Sequence, residues 1–176
     1  MSSSFKRLAL ASVAACTVFA AAAPVYSQQY PTKPVRVIVP FSPGGGSDIT
    51  ARQFSNKLSE YMGQQFVVEN RGGAGGLIGM EATARSTPDG YTIMMMSASF
   101  SATSAVRKPA FDPINAIVPV AEFGYTPFVL TVHPSLPAKT TKELISLART
   151  TKGGLNYAGT GTGGATHLAT ELFSMM

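Results

Sequence analysis

Apolar and polar residues change rhythm three times along this chain, and each change falls at a cluster of glycines. Val35 to Val39 reads V-R-V-I-V, a β-branched run suited to a strand, and it leads into Ser42-Pro43-Gly44-Gly45-Gly46. From Ser47 to Tyr61 the rhythm is helical, with Ile49, Phe54, Leu58 and Tyr61 on one apolar stripe and Gly63 as the stop. Gln65 to Glu69 predicts a second strand, which meets Asn70-Arg71-Gly72-Gly73-Ala74-Gly75-Gly76. Leu77 to Ala84 then reads as a helix, ended by the turn residues Ser86-Thr87-Pro88-Asp89-Gly90. Tyr91 to Met96 is nearly all apolar, as a strand covered on both faces should be.

Further on, Ser97 to Ser104 reads as a serine-rich loop and Lys108 to Pro113 as surface loop. Ile117 to Phe123 and Phe128 to Val132 are strand candidates broken by Pro119 and Pro127, which places them at a sheet edge or a crossing between lobes. Thr140 to Thr150 is an amphipathic helix capped by Thr140 or Thr141, with Leu144, Ile145 and Ala148 on one face. Leu155 to Ala158 predicts a strand, Gly159 to Gly164 the third glycine loop, and Ala165 to Met176 a helix.

Strand, glycine loop and helix thus recur three times, which predicts an α/β fold with a mostly parallel sheet. In such sheets the loops share the carboxyl edge of the strands, where ligands bind. A helix start offers unpaired amides and the positive end of the macrodipole, so three of them together favour an anion without any charged side chain.

Composition removes other classes. Lys6 and Arg7 precede an alanine-rich apolar run from Leu8 to Ala23, then Val25-Tyr26-Ser27, which predicts a signal peptide over residues 1–27 with cleavage after Ser27. The run is short for a bilayer span. Val13-Ala14-Ala15-Cys16 resembles a lipid-attachment box, but the apolar run continues past Cys16, so lipoprotein anchoring ranks below plain export. Cys16 is the single cysteine, and the exported part therefore has no thiol or disulfide chemistry. The net charge of +5 includes Lys6 and Arg7, and no basic cluster remains to suggest nucleic acid.

Catalytic motifs are weak or missing. Gly159, Gly161 and Gly164 fit G-x-G-x-x-G, and Gly73, Gly75 and Gly79 a looser variant, but the acidic ribose partner that a dinucleotide site needs would lie beyond Met176. No Walker loop and no G-x-S-x-G occur. His133 and His167, the two histidines, lack metal-ligand spacing, and Met94-Met95-Met96 suits strand core. Asp48 has two readings: a first-turn acid that stabilises the helix dipole, or a group that orients waters or a ligand. Arg71 reads as a surface ion-pair residue. No cofactor is indicated.

Four stretches in register, Y-P-T-K-P-V-R-V-I-V-P-F-S-P-G-G-G-S-D, V-V-E-N-R-G-G-A-G-G-L-I-G, T-P-D-G-Y-T-I and L-N-Y-A-G-T-G-T-G-G-A-T-H-L-A, strongly resemble the tripartite tricarboxylate transporter substrate-binding receptors, or Bug proteins. The likeness runs from Gln28 to Met176. It implies a type II periplasmic binding protein fold, two lobes closing like a Venus flytrap on a small organic carboxylate such as a di- or tricarboxylate, an amino acid or an aromatic acid. Delivery to a membrane permease of the tripartite type, or sensing, would follow. By resemblance the ligand contacts are Ser42, Gly44, Gly45 and Asp48 on one side and Thr160, Gly161, Thr162, Gly163 and Thr166 on the other, with Ala74, Gly75, Ser97 and Ser99 nearby. Family members are about twice this length, in the usual range for two domains. The expected division is therefore a first lobe over residues 28–127 and the start of an incomplete second lobe over 128–176, as in a C-terminally truncated receptor. The rival readings are a nucleotide-dependent α/β enzyme using Gly159 to Gly164, and an inert fragment.

Overall fold

The computed structural model describes residues 29–176. The expected signal peptide, the Cys16 box and the cleavage point after Ser27 lie outside the described residues. Strand β1 (Val35–Val39) is the centre of a three-stranded parallel sheet, flanked by β2 (Phe66–Asn70) and β3 (Thr92–Met94) in the order β2-β1-β3. Val37 pairs with Val68 on one side and with Ile93 on the other. Covered by strands at both edges and by helices on its faces, β1 keeps Val35, Val37, Ile38 and Val39 buried, which explains its unbroken β-branched character.

Helix α1 (Gly46–Met62) packs on β1 and β2. Its inward residues are Asp48, Ala51 and Ser55, with Leu58 half-buried against the core, whereas Ile49 and Tyr61 of the expected stripe are exposed. The buried face of the helix is set at its start by Asp48, whose hydrogen bonds to Gly44 and Asn70 hold it inward. It ends at Gly63, whose φ of 69° is the left-handed conformation of a helix stop. Ser59 joins that end to the sheet: its hydroxyl donates to Ser55 O (2.7 Å) and accepts from the Phe66 amide (2.9 Å). Val35, Val37, Val39, Ala51 and Phe66 form the core cluster, with Phe41, Tyr91, Ile93 and Met95 packed against it.

After β2 a single 3-10 turn (Ala74–Gly76) opens helix α2 (Leu77–Ala84). Gly79 of α2 presses on the end of β1, since a Cβ there would lie 2.8 Å from Pro40 Cα. Helix α3 (Ser99–Val106) follows β3 where a serine-rich loop was expected. Serine and threonine favour helices poorly because their hydroxyls compete for backbone groups. Here two of those hydroxyls have tertiary partners, and that offsets the preference. Helices α4 (Thr141–Thr150) and α5 (Ala165–Met175) complete the described elements.

Three expected strands do not form. Ile117 to Phe123, Phe128 to Val132 and Leu155 to Ala158 have no strand or ladder among the described residues. A strand exists only as half of a pair, and no neighbouring strand reaches these segments; Pro119 and Pro127 also remove donors. Val118, Val120, Phe123, Tyr125 and Phe128 are consequently exposed. Phe123 is tethered by its ring, which packs tilted against Phe54 of α1 with the centroids 3.8 Å apart.

Candidate functional site

The first glycine loop joins β1 to α1 and is braced from below by Asp48. That carboxylate is 3% exposed. It accepts from the Gly44 amide (2.8 Å), from Arg52 Nε (3.1 Å) and Nη2 (3.0 Å), and from Asn70 Nδ2 (2.9 Å). Hydrogen bonds from Arg52, from the Gly44 amide and from Asn70 outweigh desolvation and lower its pKa from the ordinary 3.8 to about 2. Asp48 is therefore ionised and occupied within its own loop. Asn70, at the end of β2, also donates to Phe41 O (3.2 Å), so the same network ties the first loop to the second.

The start of α1 is left open. Gly45 is the N-cap residue, extended and without a side chain to cap with, and among the described residues the amides of Gly46, Ser47 and Asp48 have no acceptor. Helices α2 and α5 likewise begin at glycine, Gly76 and Gly164, with no side-chain cap. Helix α4, which no glycine loop precedes, is built differently: Thr140 Oγ1 accepts from the Glu143 amide at 3.2 Å.

The second and third loops are held together by α3. Thr103, fully buried, directs its hydroxyl at Gly75 O (2.8 Å) and Gly163 O (3.2 Å). Arg107 Nη2 donates to Thr162 O (3.2 Å), and Ser99 Oγ accepts from the Ala165 amide (3.1 Å). Gly75 is the point of contact: its φ is +70°, and a Cβ there would lie 2.9 Å from Thr162 O and 3.1 Å from Gly164 N. Inside the third loop Thr166 Oγ1 accepts from the Thr160 amide (3.0 Å), and the Gly163 amide donates to His167 Nδ1 (3.4 Å). Among the described residues the amides of Gly161 and Thr162 have no acceptor.

The three loops therefore adjoin. A Cβ on Gly72 would lie 3.2 Å from Ser42 N, which puts the second loop against the first, and Gly75 puts it against the third. Of the expected contacts, Ser42, Gly44, Gly45, Ala74, Thr160, Gly161 and Thr162 are exposed on these loops, and Thr166 is half-buried. Asp48, Gly75, Ser99 and Gly163 are buried within the framework. Ser97 lines an open depression of about 440 Å³ with Met96, Ala98, Val120 and Phe123. Thr103 and Arg107 were not anticipated from the sequence. The signal is present: Ser99, Thr103 and Arg107 fall at i, i+4 and i+8, one face of a helix, in a segment read as loop.

Among the described residues no strand leads directly into Gly159, so the G-x-G-x-x-G stretch is not seen in the strand-to-helix setting of a dinucleotide site. Among those residues no three of His, Cys, Asp and Glu are grouped to hold a metal, and no helix is long and apolar enough to cross a membrane.

Comparison with known proteins gives a consistent picture. The family model described as "Tripartite tricarboxylate transporter family receptor" matches residues 50–176. Protein BugT of Bordetella pertussis is 39% identical over 157 residues, covering 88% of this chain and 48% of BugT. A Rhodopseudomonas palustris protein solved with adipate superposes with a TM-score of 0.78 at 38% identity, over 84% of this chain and 50% of that one. The periplasmic binding protein BugD superposes with a TM-score of 0.69 at 31% identity, over 83% and 49%. The chain spans about half the length of the curated relatives it matches.

Proposed function

The chain belongs to the tripartite tricarboxylate transporter receptor family, and on that premise we propose that it is a periplasmic solute-binding receptor, not an enzyme, that captures a small organic carboxylate through main-chain amides. The observation that carries the reading is the gathering of helix starts with glycine at the N-cap on adjoining loops, with the amides of Gly46, Ser47 and Asp48 and of Gly161 and Thr162 left open. Amides at such starts and the positive ends of helix dipoles stabilise an anion in proportion to its desolvation. The amides of Gly46, Ser47 and Asp48 take one side of the carboxylate, and those of Gly161 and Thr162 take the other. Ser42, Gly44, Gly45, Ala74, Thr160 and Thr166 surround it, while Asp48, Gly75, Ser99 and Gly163 hold the loops in shape, and Ser97 faces the rest of the ligand.

The wider assignment follows the family. Residues 1–27 serve export, residues 28–127 are the first lobe, and residues 128–176 begin the second. The receptor serves uptake through a membrane permease of the tripartite type, or sensing. The adipate bound by the Rhodopseudomonas palustris relative makes a dicarboxylate the first probe.

Isothermal titration of the exported chain with adipate, malate, glutamate and nicotinate, with NAD and ATP as controls, tests the reading. Saturable binding of at least one carboxylate and of neither nucleotide is the expected result. Binding of NAD or ATP, or of nothing in the panel by a cooperatively folded chain, overturns it.

A further inference from the structure

Helix α3 touches the site only from behind, yet its polar face decides which atoms of the third loop point outward. Thr103 hydroxyl is aimed at the carbonyls of Gly75 and Gly163, and Arg107 takes the carbonyl of Thr162. The Gly161 carbonyl is taken inside the loop by the Gly164 amide (3.1 Å). Three successive carbonyls of the loop are therefore engaged within the protein. A peptide plane with its carbonyl anchored on one side presents its N–H on the other, so the free Thr162 amide is oriented by the Gly164 amide's hold on the Gly161 carbonyl, and the Gly164 amide in turn by Thr103's hold on the Gly163 carbonyl, while the Gly163 amide stays on His167 Nδ1. Anchored carbonyls matter twice, because a free one beside a carboxylate would repel it.

We propose that Thr103 and Arg107 are positioning residues of the anion site. They keep the carbonyls of the second and third loops turned away from the ligand, and Thr103 clips the two loops into one unit. The proposal rests on the carboxylate-receptor reading. Neither residue contacts the ligand: the loop before α5 is fixed by another helix, which also supplies Ser99 Oγ to the Ala165 amide, and the amides of Gly161 and Thr162 are left open.

The test compares the full chain with Thr103→Val, Thr103→Ser and Arg107→Met, reading amide hydrogen exchange over residues 159–164 without ligand and adipate affinity by titration. Valine keeps the shape of threonine but strands two carbonyls, so exchange should rise and adipate affinity fall by about tenfold or more. Serine keeps the hydroxyl and should restore both to within about twofold. Arg107→Met, at a half-exposed site, should weaken binding by about threefold, with the melt still cooperative. Unchanged exchange and affinity in Thr103→Val, or a loss that serine does not restore, overturns the proposal. If Thr103→Val does not fold, Arg107→Met decides: unaltered exchange and affinity overturn it. If the wild type binds no carboxylate, the receptor reading fails, and unchanged exchange in Thr103→Val would then separately refute the clip.

Discussion

Gly75→Ala is the sharpest test of how the second and third loops meet. Two costs are distinct. The backbone sits at φ +70°, where an L-residue is strained by about 1–2 kcal/mol. The added methyl would also lie 2.9 Å from Thr162 O, 3.0 Å from Thr103 Oγ1 and 3.1 Å from Gly164 N. Two of those atoms are backbone and the third is the clip itself, so relief requires the loops to part, at about 1–3 kcal/mol. The sum is about 2–5 kcal/mol, and at about 2–4 °C per kcal/mol the melting temperature should fall by about 4–20 °C. Two controls separate the terms. Gly44 has φ +83° with nothing within 4 Å, so Gly44→Ala carries the strain alone and should lose about 2–8 °C. Gly46 has neither problem, and Gly46→Ala should leave stability unchanged or raise it by about 0.4–1 kcal/mol. Thermal melts followed by circular dichroism read all three. If Gly75→Ala melts no lower than Gly44→Ala, the close approach of the two loops is wrong.

Asp48→Asn removes a carboxylate whose pKa is lowered to about 2. A depressed folded-state pKa adds stability that is fully present above the unfolded value near 3.8 and is lost as pH falls through about 2. The gap in melting temperature between wild type and variant should thus be widest above pH 4 and close toward pH 2. Asp89, lowered by the Tyr91 amide and Lys33, and Asp112, lowered by Asn115 and the Ile114 amide, cancel in that difference. Gly79→Ala gains helix propensity but drives a methyl to 2.8 Å from Pro40 Cα and 2.9 Å from Arg71 O; a lower urea midpoint is expected, and a higher one would contradict the contact. Thr140→Ala removes the cap of α4, should cost about 1 kcal/mol in a chemical melt, and should leave adipate titration unaltered.

What the sequence made legible was what local chemistry decides. Val35–Val39 and Leu77–Ala84 form as read, and α1 ends at Gly63 because a left-handed residue was needed there. The glycine loops were visible because nothing else in a sequence combines three such runs with helix starts. The segments that misled are those whose state depends on a distant partner. Ser97 to Ser104 is polar enough for a loop, and only contacts with Gly75, Gly163 and Ala165 make it a helix. Phe128 to Val132 is apolar enough for a strand, and no ladder receives it. On α1 the periodicity pointed to Ile49 and Tyr61, whereas the buried face is Asp48, Ala51 and Ser55, because the loop network pulls an acid inward.

The exposed, unladdered run between Val118 and Val132 has a consequence for the lifetime of the protein. Exposed backbone in an open, unladdered conformation is what a protease cleft accepts, so this run is the place where a nick falls first. Such a cut would sever the chain without dispersing the anion loops. The piece carrying Gly159 to Gly164 would still be gripped by Ser99, Thr103 and Arg107 of the other. A nicked molecule should therefore run as two bands on a denaturing gel and elute as one particle from a sizing column.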